Sequence, residues 1–264
     1  MASYNFSPEK TISDYLNQFS STDTTCYSPL HIAAHTNATH IIIILIHELN
    51  ADINAIGYSA VSALYVAVKY GCYDTVRLLC RYGASTATQN FTLKSPLQIA
   101  ACNGHHKVVS FLCTNTTRRN HQNALYYTCE GGHVDTVHAL LEFGGINVNA
   151  RTWMGGHSTL HICVYHGHLQ LVKILVVEFQ VYVDIMDKLF GETPLHYAAW
   201  GTGYFHFRSS GSKIYDEQVM EDMVTLLIIE LDADIYARTR YGATAYDIAR
   251  MVMRTASVME ILVE

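Results

Sequence analysis

The sequence predicts an all-α array of repeated helix–turn–helix units, and three observations predict it. A phrase of the form Ser/Thr–Pro–Leu–His–x–Ala recurs at a step near 33 residues. In four copies a glycine stands seven residues after the leucine and introduces a second apolar segment. Half of the 264 residues are hydrophobic and only 15% are charged, which supplies a large core and too little charge for a disordered chain.

The elements follow in order. Within residues 1–27, Ser7, Pro8 and Glu9 read as a helix start. Ile12, Tyr15, Leu16 and Phe19 then form one apolar face at helical spacing, so this segment is expected to be a helix capping the first repeat. The array proper spans 28–264. Its phrases are Ser28–Ala33, Ser62–Ala67, Ser95–Ala100, Asn123–Thr128, Ser158–Cys163 and Thr193–Ala198, with a degenerate copy at Thr244–Ala249. The leucines fall at 30, 64, 97, 125, 160 and 195, giving steps of 34, 33, 28, 35 and 35.

Each phrase has the features of a helix start. Ser28, Ser62, Ser95, Ser158 and Thr193 can accept hydrogen bonds from free amides of the first turn. Pro29, Pro96 and Pro194 sit at the first helical position, where a missing N–H costs nothing. The first helix is about nine residues long, and its small residues, such as Ala33–Ala34, Ala100–Ala101 and Ala198–Ala199, permit close packing. Gly71, Gly104, Gly132 and Gly167, with Asn37 in the first unit, allow the left-handed turn that ends it. A second helix carries the aliphatic runs Val76–Cys80, Val108–Cys113, Val137–Leu141 and Val172–Val176. A stop such as Tyr82–Ala84, or its looser form Leu231–Asp234, leads into an extended loop. Neither helix buries its apolar face alone, so neighbours must stack.

These phrases resemble the repeat of ankyrin proteins, a unit of about 33 residues with a Thr-Pro-Leu-His-x-Ala signature. The resemblance covers about residues 28–264, as seven units, and implies an ankyrin-repeat solenoid. It also implies that His31, His161 and His196 in the phrase, and His105, His133 and His168 after the turn glycine, serve structure by satisfying backbone groups. Ile248, Ala249, Val252, Met259, Ile261 and Leu262 form a closing helix pair, and no linker or second domain is expected after it.

Two steps depart from the period. The step between Leu97 and Leu125 is short, and the loop Thr117–His121 is expected to be clipped. The step from Leu195 to Tyr246 is long, so a loop is inserted near 202–217, between the two helices of repeat six. It contains Tyr204, Phe205, Phe207 and Arg208, frequent anchor types at protein interfaces.

Catalysis and metal binding find no support. Cys102/His105/His106, Cys129/His133 and Cys163/His166/His168 lack the paired spacing that supplies four zinc ligands. Cys80, Cys113, Cys129 and Cys163 stand where alanine or leucine is usual and read as small buried hydrophobes. There is no phosphate-binding glycine loop. The chain is therefore expected to be no enzyme and to carry no cofactor, with catalytic and metal residues none. The net charge of -6 argues against nucleic acid. The longest apolar run, Ile41–Ile46, is far short of the roughly 20 residues of a membrane span. With no secretory signal and an odd cysteine count, the expectation is a cytoplasmic or nuclear monomer.

The resemblance places the partner surface on the loop tips and the inner face of the first helices. The tips carry Tyr58, Phe91, Trp153, Met154, Leu189, Phe190 and Tyr241 where the family is polar. The first helices present Thr36, Lys69, Tyr70, Asn103, Glu130, Tyr165 and Trp200 to the same groove. Aromatics bury a large area at low entropic cost, so Tyr58, Phe91, Trp153, Met154, Phe190, Tyr241, Tyr70, Tyr165, Trp200, Tyr204 and Phe207 are the candidate partner-binding residues. The expected function is a protein-interaction module or scaffold. The alternative is a substrate-recognition subunit of a ubiquitin ligase, although no box motif after the repeats is found. An enzyme with a cryptic site is the remaining alternative.

Overall fold

The computed structural model describes residues 28–57, 61–86, 94–114, 118–151, 156–201, 217–252 and 254–263. The expected capping helix, the insertion up to residue 216, and Tyr58, Phe91, Trp153, Met154, Tyr204 and Phe207 lie outside the described residues. Among the described residues the regular structure is helical, with one isolated bridge between Ile56 and Ser62. Two compact units are present, one of residues 1–124 with 142–144, the other of 125–141 with 145–264.

The first unit begins with α1 (Pro29–His35), α2 (Thr39–His47), α3 (Ala63–Lys69) and α4 (Tyr73–Arg81). It continues with α5 (Pro96–Cys102), α6 (His106–Cys113) and the start of α7 (Arg118–Gly131). First helices pack in one row, α1 on α3 and α3 on α5, and second helices in another, α2 on α4 and α4 on α6. The second unit takes the rest of α7 and most of α8 (Val134–Gly144), then α9 (Thr159–Tyr165), α10 (Leu169–Val177) and α11 (Pro194–Trp200). It ends with α12 (Glu217–Thr225), which runs into a π-turn at Leu226–Glu230, then α13 (Ala245–Met251) and α14 (Ala256–Ile261). Here α9 packs on α11 and α11 on α13, while α10 packs on α12 and α12 on α14.

The predicted register holds. All six phrase leucines, Leu30, Leu64, Leu97, Leu125, Leu160 and Leu195, are buried. In the second helices the buried pair stands five and eight residues after the turn residue: Ile42 and Leu45, Val76 and Leu79, Val109 and Leu112, Val137 and Leu140, Val172 and Leu175. That i, i+3 pair is the stripe each second helix turns inward. The turn residues are left-handed as expected, with φ +69° at Gly71, +73° at Gly104, +72° at Gly132, +67° at Gly167 and +55° at Asn37.

The caps are more varied than the sequence suggests. Ser62 Oγ accepts from the Tyr65 amide at 3.2 Å, and Ser95 and Ser158 accept from Gln98 and His161, each at 3.4 Å. At Ser28 the hydroxyl instead pairs with His31 Nδ1 at 2.7 Å. At Thr193 it pairs with His196 Nδ1 at 2.8 Å.

Two expectations need correction. Residues 118–121 of the expected clipped loop are the first turn of α7, a 14-residue helix. The shortened step leaves no room for a loop there, and no proline or glycine from Arg118 to Glu130 interrupts the helix. Cys113, Cys129 and Cys163 are buried, but Cys80 is only partly so. It borders an open cleft of about 410 Å³ lined also by Arg77, Arg81 and Phe111.

Candidate protein-interaction face

Hydrogen bonds between successive repeats set the frame that carries the candidate residues. His31 Nε2 donates to the Val61 carbonyl at 2.9 Å, His161 Nε2 to Glu192 at 2.9 Å and His196 Nε2 to Ala243 at 3.2 Å. Each acceptor is the residue just before the next unit's cap, so the phrase histidine ties one helix start to the next. At His161 the Nδ1 accepts from the Ser158 amide at 3.2 Å and the Ser158 hydroxyl at 2.7 Å. This pattern needs the neutral ring with its proton on Nε2. Burial accordingly pushes His161 down to about 4, against the opposing pull of its bond to Glu192, and burial also lowers His31 and His196.

The residue after the turn does the same for the other end of the helix. His105 Nε2 donates to Lys69 O at 3.0 Å and His168 Nε2 to Glu130 O at 2.9 Å. In the last repeat Arg254 takes this place and donates to Ala199 O at 3.1 Å and to Trp200 O. These rings lie directly over the preceding glycines. A Cβ on Gly71 would stand 2.7 Å from His105, and one on Gly132 2.6 Å from His168. Glycine is thus required there twice, by its φ and by the close approach.

At the first-helix ends of the first unit, Thr36, Lys69, Tyr70 and Asn103 are exposed, as expected. Tyr70 is 47% exposed, with the His35 ring edge-on at 4.2 Å and the Lys69 ammonium 5.6 Å from its centroid. Ile32, which the sequence did not single out, is also exposed on α1. In the second unit Tyr165 departs from expectation: it is 8% exposed and offers no docking surface. Its helix has neighbours on both sides, with Cys163 Sγ reaching Cys129 O at 3.9 Å on one and α11 on the other. Its ring packs against His166, 5.1 Å between centroids. Trp200 is half-buried, its indole N–H fixed to Glu192 Oε1 at 2.9 Å.

Among the tips, Phe190 and Tyr241 come together, their rings 6.2 Å apart. Phe190 is half-buried and Tyr241 is 81% exposed. The turn under Phe190 is held by buried Asp187, whose Oδ1 accepts from the amides of Phe190 and Gly191 at 2.8 Å and Glu192 at 3.2 Å. Buried Tyr197 donates its hydroxyl to Asp187 Oδ2 at 3.1 Å and lies 2.6 Å from His157 Nδ1. With its proton directed at the carboxylate, the hydroxyl oxygen accepts from a protonated His157 Nδ1. The chain Asp187–Tyr197–His157 holds this turn in place.

Sequence reasoning missed two further rings. Tyr182 is 70% exposed and Tyr236 73%. Each follows a buried small or aliphatic residue, Val181 or Ala233, and precedes another, Ile185 or Ala237. That four-residue spacing of buried positions is the signal that marks the intervening residues as outward.

Burial pushes the Cys80 and Cys113 thiols up to about 11 and Cys163 well above the ordinary thiol range. Among the described residues no group of three or more His, Cys, Asp or Glu is arranged to hold a metal, and no helix is long and apolar enough to cross a membrane.

Comparison with known proteins agrees with this architecture. The family model "Ankyrin repeats (3 copies)" matches residues 1–90 and 85–152, and the model "Ankyrin repeat" matches 155–188 and 190–240. Probable E3 ubiquitin-protein ligase XBOS32 of Oryza sativa subsp. japonica is 31% identical over 134 residues, 48% of this chain and 27% of that protein. E3 ubiquitin-protein ligase XBAT33 of Arabidopsis thaliana is 34% identical over 92 residues, 33% of this chain and 18% of that protein. The matched segments thus span about a quarter or less of these relatives' length. The human ASB11 ankyrin repeat domain superposes with a TM-score of 0.69 at 23% identity, covering 90% of this chain and 97% of that one. The ankyrin repeat domain of Bcl-3 gives 0.68 at 20% identity, with 90% and 99% covered. Motif, register and fold converge: this chain belongs to the ankyrin-repeat family, whose repeats mediate protein–protein interaction.

Proposed function

We propose that this chain binds partner proteins through the ends of its first helices and the tips of its loops, with no chemistry of its own. The observation that carries the reading is the tip at Phe190 and Tyr241. Exposed aromatic area stands there on a turn already fixed by Asp187, Tyr197 and His157. A surface ordered in advance loses little entropy on association. The six described cysteines are all free, which supports a reducing compartment, cytoplasm or nucleus, for a monomeric chain. The test is affinity capture by the immobilised chain. Phe190→Ala with Tyr241→Ala should release the captured proteins while the melting temperature holds. Undiminished capture would refute the tip assignment.

A second reading is supported by the relatives named as E3 ubiquitin-protein ligases. In it the repeats select the substrate of a ubiquitin ligase. Co-purification of the chain with ligase components, and ubiquitin transfer to a captured protein in a reconstituted mixture, would favour it. Capture without either would leave the plain interaction module.

A further inference from the structure

We infer that the loop tips of the second unit dock an extended, acidic segment of a partner protein. This deepens the interaction reading above and rests on it. A cleft of about 830 Å³ opens between the loops of repeats five and six, with Arg151 on one side and Tyr182, Asp184, Met186 and Lys188 on the other, two cations against one carboxylate. Lys188 and the equivalent Arg240 of the next loop are positioned by packing. A Cβ on Gly156 would stand 2.4 Å from the Lys188 stem, and one on Gly191 3.1 Å from the Arg240 stem. Arg240 also donates to Leu189 O at 3.1 Å. Among the described residues these cations form no ion pair; the pairs there are His138–Glu178 and Lys173–Glu230, on other elements.

Charge along the loops is graded. The exposed acids Asp184, Asp232 and Asp234 precede the cations Lys188 and Arg240 along their loops, and Asp184 Oδ1 is engaged by the Asp234 amide at 3.0 Å. The exposed cations Lys188 and Arg240 stand in the chain beside Phe190 and Tyr241. On a chain of net charge -6, this is a local basic strip against an acidic background. An acidic segment is drawn to Arg151, Lys188 and Arg240 and kept off Asp184, which favours a place toward the tips. Cations and rings on successive loops match a ligand in which acidic and apolar residues alternate.

The test uses a displayed library of random dodecapeptides selected on the intact chain, with selected peptides then labelled with fluorescein and titrated by anisotropy. The peptides should carry net negative charge. Their affinity should fall at least tenfold for Arg151→Glu/Lys188→Glu and fall steeply from 50 to 500 mM NaCl. Arg77→Glu/Arg81→Glu, on the first unit, should leave it unchanged. Arg151→Gln/Lys188→Gln, with an unaltered melting curve, should give an intermediate loss and so separates charge from misfolding. Neutral or basic peptides, no selected binder, or indifference to the charge variants would overturn the inference. Peptides lost by Tyr241→Ala but indifferent to charge reversal would leave the interaction reading standing and refute only the acidic partner. Indifference to both would remove the tip assignment as well.

Discussion

Acidification should loosen this array, and His161 gives the magnitude. Its ring is buried, accepts two hydrogen bonds at Nδ1 and donates one at Nε2, so the folded state resists a second proton. Its value falls from the ordinary 6.5 to about 4. The unfolded chain therefore binds more protons between these values, and stability must drop as pH falls through that window. Above pH 6.5 the ring is neutral in both states and the fold keeps its full stability. Below about pH 4 both states are protonated and the loss levels off. From pH 7 to pH 5 this one residue should remove about 2 kcal/mol. The assay is urea unfolding followed by circular dichroism at both pH values, on the wild type and on His161→Gln. The variant is expected to be less stable at pH 7 but to lose about 2 kcal/mol less on acidification. An equal pH dependence in the two proteins would refute the assigned tautomer and the burial argument with it.

Other outcomes follow from the same frame. Leu97→Ala and Leu160→Ala should each cost about 2–5 kcal/mol in chemical unfolding, and a loss well under 1 kcal/mol at both would contradict the register. Gly132→Ala should cost about 1 kcal/mol more than Gly83→Ala. Both positions have positive φ, but only the first would displace a ring, that of His168, from its bond to Glu130; equal losses would show that the close approach is unimportant. Tyr197→Phe should destabilise by about 1.5–3 kcal/mol and speed amide exchange at Phe190 and Gly191, and unchanged exchange would mean that Asp187 holds the turn without help. Cys129 and Cys163 are buried and should react with Ellman's reagent only on unfolding; prompt reaction of the native chain at either would count against the packing of α7 on α9.

Much of the fold was legible because its determinants repeat. Leucine, turn glycine and inward pair each recur in one register, so chance agreement at any one position matters little. The structural role of the histidines followed from the family resemblance, though not their individual bonds. Arg254 doing the work of His105 and His168 was hidden, since a guanidinium and an imidazole share only their ability to donate to a carbonyl. The helical start of α7 was missed because repeat length was read as loop loss, whereas the chain answered a short step by extending a helix. Side-chain exposure was the least legible link. Tyr165 and Tyr70 lie at comparable helix ends, yet one is covered by neighbours and the other is not. Tyr182 and Tyr236 stand on loops whose outward positions emerge only from the alternation of buried residues around them. The network under Phe190 joins residues 157, 187 and 197, a juxtaposition that no local pattern announces.

The most direct test of the account is the footprint of a bound peptide. Amide hydrogen exchange should be measured on the free chain and with a saturating selected dodecapeptide. The account predicts slowed exchange at 182–190 and 236–241, with the second helices α10 and α12 unchanged. Protection confined to α10 and α12, or absent from both loops, would contradict it.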